Sequence, residues 1–323
     1  MKDMTYLSAV IATLGEEMEK DNRVFLMGQN VQGGGGYKTT AGLFERFGPD
    51  RVLDTPIAED SSVGCALGAA LTGMRPVLEI LFCDFALRAM DQIANQAAKY
   101  RYMTGGQMAA PLVLWIHCGY GGSRGIHHSQ SLESMFLHFP GLKVVLPSTP
   151  RDAKGLLKST LRDGDPVIFM DHVSLFGKKG PVPEEEYTIP LGKAEVKREG
   201  KDVTIVAFSA MVHESLRAAE TLAGEGIEVE VLDPRTLVPL DLSTIVGSVR
   251  KTNRLLLVEG GNKRGGVGAD IISSIVEEAF DYLDFPPVRL AVPDTPLPFA
   301  SQMEALLLPN ATRIEEEVRR MLH

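Results

Sequence analysis

Glu59 closes the run Thr55-Pro56-Ile57-Ala58-Glu59, which follows the apolar pair Val52-Leu53. It opens a segment in which Val63, Ala66, Leu67, Ala70 and Leu71 recur at helical spacing. An acid at such a strand-to-helix turn lies at the carboxyl end of a strand, where open α/β sheets place their ligands. Any helix also favours an acid there, because the dipole and the free N–H groups attract negative charge. Position alone does not separate the two. A second chemical stretch is His127-His128-Ser129-Gln130, in a loop that carries Gly119, Gly121, Gly122 and Gly125. Glycines let backbone approach a ligand closely and let a loop move. Two successive histidines cannot share one helix face and no acid or cysteine cluster accompanies them, which argues against a transition-metal site.

Two glycine runs invite other chemistry. Gly33-Gly34-Gly35-Gly36 lacks the Gly-Lys-Ser/Thr ending of a P-loop and is followed by Tyr37-Lys38-Thr39-Thr40, so it is expected to be a flexible loop near the mouth of the site. Gly265-Gly266-Val267-Gly268 departs from the G-x-G-x-x-G spacing of a dinucleotide turn. Tight helix–strand packing is the expectation there, with an anion site as the lesser alternative.

The elements that must position these residues alternate along the chain. An amphipathic helix is expected over Met4–Lys20, with Leu7, Val10, Leu14 and Met18 on one face. Apolar strands follow at Val24–Met27, Val52–Leu53, Val77–Phe82, Leu112–Ile116, Val144–Leu146 and Val167–Met170. Near-continuous apolar strands separated by helical periods predict a parallel sheet covered on both faces. The stretch Gly177–Pro190, with several prolines and three successive glutamates, reads as an interdomain linker. Beyond it, strands are expected at Val203–Phe208, Val229–Leu232, Leu255–Val258 and Val288–Leu290. Helices are expected over Val212–Leu222, Leu240–Lys251, Gly266–Phe280 and Ala311–Leu322. The fold class is therefore α/β in two domains, residues 1–180 and 190–323.

Thr55-Pro56-Ile57-Ala58-Glu59 resembles the T-P-I-x-E segment of the β subunits of thiamin-diphosphate-dependent 2-oxoacid dehydrogenases, relatives of transketolase. The resemblance continues through Asp84-Phe85, Asp91-Gln92, Asn95-Gln96-Ala97-Ala98-Lys99 (expected on one helix), His128-Ser129-Gln130 and Pro140-Gly141-Leu142. It extends to Asp233-Pro234-Arg235-Thr236 and Val258-Glu259-Gly260-Gly261, and so covers nearly the whole chain in order.

The resemblance implies a pyrimidine-binding transketolase-like domain followed by a transketolase C-terminal-like domain. Thiamin diphosphate supplies the hard chemistry, and the protein supplies an acid hydrogen-bonded to the pyrimidine nitrogen N1′. Glu59 matches that acid. Phe85 matches an aromatic stacked on the pyrimidine, with Ile57 and Phe82 beside it. His128 matches a histidine facing the substrate, able to donate to developing charge or to move a proton. The family's Mg²⁺ motif, Gly-Asp-Gly followed by Asn, is absent, since this chain reads Gly164-Asp165-Pro166. The diphosphate and Mg²⁺ would then be held by a partner α subunit, in a heterotetramer of two α and two β chains. Potassium is a further implied ligand, on carbonyls near Leu112, Thr160, Asp163 and Asp165. The implied activity is an oxidoreductase acting on a 2-oxo acid or acetoin and passing the acyl fragment to the lipoyl arm of a dihydrolipoyl acyltransferase. The wording around Asp84-Phe85 leans towards acetoin. Gly28-Gln29-Asn30 departs from the family's acids, which line a proton tunnel between paired sites, and Asp60 is unusual beside Glu59. The alternatives are a scaffold or regulatory subunit of the same fold, or an NAD-binding dehydrogenase.

Composition bounds the rest. With 323 residues, 44% hydrophobic, the chain is long enough for two cores. A net charge of −9 without a basic stripe argues against nucleic-acid binding. No apolar run approaches the roughly 20 residues that span a bilayer, and the N-terminus does not read as a secretory signal. Cys65, Cys83 and Cys118 have no metal-type spacing and are expected to be reduced, buried thiols of a cytoplasmic protein.

Overall fold

A computed structural model describes residues 1–323. The chain forms two compact units. One is Met1–Gly119 with Met135–Leu191, and the other is Tyr120–Ser134 with Gly192–His323. The split near residue 191 falls at the end of the expected linker. The excursion of Tyr120–Ser134 into the second unit was not expected, because nothing in its composition marks it.

The first unit begins with β1 (Lys2–Thr5), paired antiparallel with β8 (Lys179–Val182). The helix expected from Met4 starts instead at Tyr6, as α1 (Tyr6–Lys20). Thr5 is its N-cap, its hydroxyl accepting from Ser8 N–H at 3.1 Å, which leaves Met4 free to extend into the ribbon. Tyr6, Val10, Leu14 and Met18 are all buried, the stripe a core-facing helix requires.

Six parallel strands make the central sheet of this unit. They are β2 (Val24–Gly28), β3 (Val52–Asp54), β4 (Arg75–Ile80), β5 (Val113–Cys118), β6 (Lys143–Val145) and β7 (Val167–His172), in the order β6-β7-β5-β4-β2-β3. Nearly every strand residue of β2, β4, β5 and β7 is buried, as a sheet covered on both faces demands. The helices are α2 (Leu43–Phe47), α3 (Glu59–Leu71), α4 (Cys83–Ala86), α5 (Tyr100–Met103) and α7 (Pro150–Arg162), with α6 (Glu133–Leu137) ahead of β6. The single helix expected around Asp84–Lys99 is broken. α4 is followed by a 3-10 turn at Leu87–Ala89 and a π-helical stretch at Asp91–Ala97, where Ala98 N–H reaches back five residues to Ile93 O.

The expected linker is not loose. Its first part is β8, and Glu186 pairs with Lys158 at 2.7 Å and with Lys20 at 2.8 Å. Lys158 on α7 is itself buried and also pairs with Glu16 of α1, so burying that cation depends on carboxylates from two segments.

The second unit holds a five-stranded sheet of β9 (Glu195–Arg198), β10 (Val203–Ala207), β11 (Val229–Asp233), β13 (Leu255–Asn262) and β14 (Val288–Val292). Their order is β14-β13-β10-β11-β9, parallel except for the edge strand β9. A short β12 (Thr236–Val238) follows β11. The helices are α8 (Met211–Ala223), α9 (Leu242–Thr252), α10 (Val267–Ala279), α11 (Ser301–Leu307) and α12 (Ala311–Leu322). Of these, α11 was not expected. Each unit is thus a mainly parallel sheet flanked by helices. No helix is long and apolar enough to cross a membrane.

Candidate functional site

In the first unit, β2 lies between β3 and β4, so the chain leaves β2 on one side and returns on the other. Such a reversal opens a crevice at the carboxyl ends of the strands. Gly28 of β2 is in register with Asp54 of β3, so the residues after both strands emerge at the same edge. That is why Gln29 and Glu59, thirty residues apart, meet: Gln29 donates from Nε2 to Glu59 Oε1 at 3.1 Å. Glu59 is the first residue of α3 and only 5% exposed. Its Oε2 is buried and has no hydrogen-bond partner. Arg88, largely exposed, brings Nε to 3.6 Å from that oxygen. Asp60 faces solvent, as a first-turn acid would.

The strand next to β2 supplies the aromatic side. Phe82 is buried and meets half-buried Phe85 edge-on, with centroids 6.2 Å apart and planes at 73°. Tyr37 packs edge-on against Phe82 at 6.0 Å. The four-glycine run folds over the same edge, where a Cβ at Gly36 would lie 2.7 Å from a Leu81 methyl. Ile57, by contrast, is turned to the surface and is 82% exposed.

Beneath this edge lies a buried triad that no motif announced. His117 of β5 places Nδ1 2.6 Å from Asp171 on β7 and Nε2 3.0 Å from Glu79 on β4. Asp171 also accepts from Trp115 Nε1 at 2.8 Å. Burial alone would lower the imidazole pKa, but the two carboxylates outweigh it and raise it to about 10. The triad adjoins the site through Glu79, because a Cβ at Gly28 would come within 3.0 Å of Glu79 Cβ.

The histidine loop belongs to the second unit. His128 is half-buried and His127 exposed. A cavity of ≈ 480 Å³ opens beside the loop, lined by His127, Ser129, Gln130, Gly261, Arg264 and Thr295 among others. Ser129 is 2% exposed and its hydroxyl has no partner. The loop is held from below by Glu304, whose two carboxyl oxygens accept from Gly121 N–H and Ser123 N–H, each at 2.8 Å.

Three further expectations meet the structure here. At Gly265–Gly268, the start of α10 is filled by Glu259: its Oε2 accepts from Gly268 N–H at 3.1 Å and its Oε1 from Arg289 at 2.6 Å. A Cβ at Gly268 would lie 2.4 Å from Leu257. This is the tight packing expected, and the Glu259 carboxylate already takes the Gly268 N–H that an outside anion would need. At the turn offered for potassium, Leu112 O accepts from Val167 N–H and Asp163 O accepts from Arg75. The Asp163 and Asp165 carboxylates pair with Lys143. Thr160 keeps a buried hydroxyl without a partner at this turn. No group of three or more His, Cys, Asp or Glu side chains is placed to hold a metal. Finally, Cys65 is exposed, because it lies on the outer face of α3, whereas Cys83 and Cys118 are buried as expected.

The site and sheets define a two-domain α/β protein with a buried acid at the switch point of its first unit and a histidine loop in its second. Residues 2–178 match the transketolase pyrimidine-binding domain and residues 192–314 the transketolase C-terminal domain, so the chain belongs to the transketolase-like family. It is 46% identical to the pyruvate dehydrogenase E1 component subunit beta of Bacillus subtilis, covering 100% of this chain and 99% of that one. It is 44% identical to the 2-oxoisovalerate dehydrogenase subunit beta of the same organism, covering 99% of each. The subunit beta of an acetoin:2,6-dichlorophenolindophenol oxidoreductase from Cupriavidus necator is 44% identical, covering 97% of this chain and 96% of that one. A split-gene transketolase solved as an inactive beta4 tetramer matches with a TM-score of 0.80 at 24% identity, over 99% of this chain and 98% of that one; this likeness concerns the fold.

Sequence reasoning missed Gln29 as the partner of Glu59, as well as Arg88, His117 and Glu304. For Gln29 a signal existed: it directly follows the strand that neighbours β3, and parallel strands end at a common edge. The other three depend on contacts between segments distant in sequence.

Proposed function

We propose that this chain is the β subunit of a thiamin-diphosphate-dependent 2-oxoacid or acetoin dehydrogenase. It acts with an α subunit that holds the diphosphate and Mg²⁺, and passes its acyl product to a lipoyl-bearing acyltransferase. The relatives described above support the class. The observation that carries the reading is Glu59 Oε2, a buried oxygen that accepts no hydrogen bond, at the switch point of a pyrimidine-binding domain. An orphaned buried polar atom is costly unless a ligand satisfies it.

The residues present fit the cofactor's pyrimidine half. When bound, thiamin diphosphate supplies the reactive thiazolium carbon and its own amino base. Glu59 holds or shares a proton at the ring nitrogen N1′ through Oε2. Gln29 fixes the carboxyl by holding Oε1, so that Oε2 points one way. Phe85, backed by Phe82 and Tyr37, offers an apolar face to the ring and excludes water from it. His128 serves the substrate side as a hydrogen-bond donor to developing negative charge.

The test is reconstitution. This chain is co-expressed with a candidate α subunit, supplied with thiamin diphosphate and Mg²⁺, and assayed with acetoin, pyruvate and branched-chain 2-oxo acids against an artificial acceptor. Turnover of one substrate that is lost in Glu59→Gln and absent without the α chain supports the proposal and names the substrate. A stable, cofactor-loaded complex that turns over none of them overturns it.

A further inference from the structure

The loop that carries His128 has almost no regular structure of its own. Residues 119–130 contain several glycines, and Gly121, Ser123 and Gly125 have φ of +73°, +52° and +82°. A non-glycine residue with positive φ is uncommon and persists where its surroundings hold it. The surroundings here are specific. Tyr120 is buried against Gly260, where a Cβ would stand 2.3 Å from the ring. Gly125 lies over Phe299, at 3.5 Å from its would-be Cβ, and Gly121 over Leu308 at 3.6 Å. At the other end, Ser131 donates to Glu133 at 2.6 Å.

Between these contacts sits the Glu304 carboxyl. It is 2% exposed and bonds two backbone N–H groups of the loop at 2.8 Å each, one from each oxygen. Backbone N–H groups turned to one side by left-handed residues form a concavity that binds an anion. In this chain the anion is a side chain from α11. The segment itself is secured: Arg313 donates to Leu307 O at 3.1 Å and Leu308 O at 3.2 Å, closing the carboxyl end of α11.

We propose that Glu304 is a positioning residue for the reaction: its carboxyl fixes the backbone of residues 121–123 and thereby the place of His128. The inference rests on the reading of His128 as a substrate-side group. A displacement of about 1 Å at a reacting group is enough to cost on the order of a hundredfold in rate.

The experiment compares Glu304→Gln and Glu304→Ala with the parent in two ways. In the isolated full-length chain, amide exchange at Gly121 and Ser123 is followed by NMR or mass spectrometry, with thermal unfolding as a control for the fold. In the reconstituted pair, kcat, KM and cofactor affinity are measured per folded active site. Gln keeps one acceptor and sets an amide donor against the second N–H, whereas Ala removes both acceptors. The expected result is faster exchange confined to the loop, a fall in kcat of roughly 10- to 100-fold for Gln and more for Ala, and cofactor affinity within twofold of the parent. Parental kcat with either variant overturns the proposal. So does a loss fully explained by less folded protein. If the parent pair itself has no turnover while the loop amides respond as expected, the clamp stands and the assigned function fails.

Discussion

Arg88 Nε stands 3.6 Å from Glu59 Oε2, the oxygen of that carboxyl left without a hydrogen bond. The guanidinium reaches in from an exposed stem and leans on a buried atom, so it can be displaced at little cost. A ring nitrogen arriving at Oε2 must compete with it. Arg88→Ala should therefore tighten thiamin diphosphate binding to the reconstituted pair by a few-fold, within the about 1 kcal/mol that such a half-exposed pair contributes. Raising the salt concentration should narrow the difference between parent and variant. Calorimetric titration reads both. Weaker binding in Arg88→Ala would mean that the arginine contacts the cofactor rather than competing with it.

Gln29 should matter through Glu59 alone. Removing its amide in Gln29→Ala deletes one hydrogen bond, worth roughly 0.5–1.5 kcal/mol, and should lower turnover about threefold to tenfold. Glu59→Gln should cost far more, on the order of 10²- to 10⁴-fold. If Gln29→Ala matched Glu59→Gln in steady-state assays, Gln29 would be a reacting group itself.

The His117 triad predicts a pH dependence of stability. The folded-state pKa is raised to about 10 from an ordinary 6.5, so the protonated imidazole stabilises the fold. That contribution is complete below pH 6.5 and drains away as the pH rises through 10. Thermal unfolding between pH 6 and pH 10 should show falling stability. In His117→Gln this dependence should be flattened and the fold destabilised at neutral pH by about 3–5 kcal/mol, since two buried carboxylates lose their cation. A parental melting temperature in the variant would dismiss the triad as a source of stability.

Gly260→Ala tests the seat of the histidine loop at Tyr120 rather than at Glu304. The added methyl would meet the Tyr120 ring at 2.3 Å, so the ring and the loop start must move. Overpacking of this kind costs about 1–3 kcal/mol. Tryptic cleavage at Arg124 should accelerate in the folded variant. An unchanged digestion pattern would mean that Tyr120 adjusts without disturbing the loop.

Cysteine labelling separates surface from core. Only Cys65 should react with a thiol reagent in the native chain, giving one adduct by mass, with Cys83 and Cys118 reacting after denaturation. Three adducts at once in the native state would contradict the burial of β5 and α4.

The alternating pattern made the sheets legible, because strands buried on both faces read as apolar runs. Val24, Val52, Val113 and Val167 all begin or lie near strands where expected. Glu59 was legible through the resemblance of Thr55–Glu59 to the family's acid-bearing turn, since its strand-to-helix position alone also suits an ordinary first-turn acid. Gln29 and Arg88 were not, because their importance comes from strand order, and order is set by packing between distant segments. The broken helix after Phe85 escaped for a different reason: the π-helical stretch is seven residues long, too short for its wider turn to show as a changed apolar period. Glu304 was hidden most completely. Its partners are backbone N–H groups, which have no signature in side-chain sequence.

Synthesis from the N-terminus gives that last contact a temporal meaning. Tyr120–Ser134 is made long before Gly192–His323, the rest of the unit in which it packs. Until Phe299, Glu304 and Leu308 leave the ribosome, the histidine loop lacks the contacts that hold residues 121–125. The first unit's sheet can form early, with Glu59 and Gln29 already joined at its edge. The histidine must wait for nearly the whole chain, so a prematurely terminated product would carry the acid in place but its histidine on an unanchored loop.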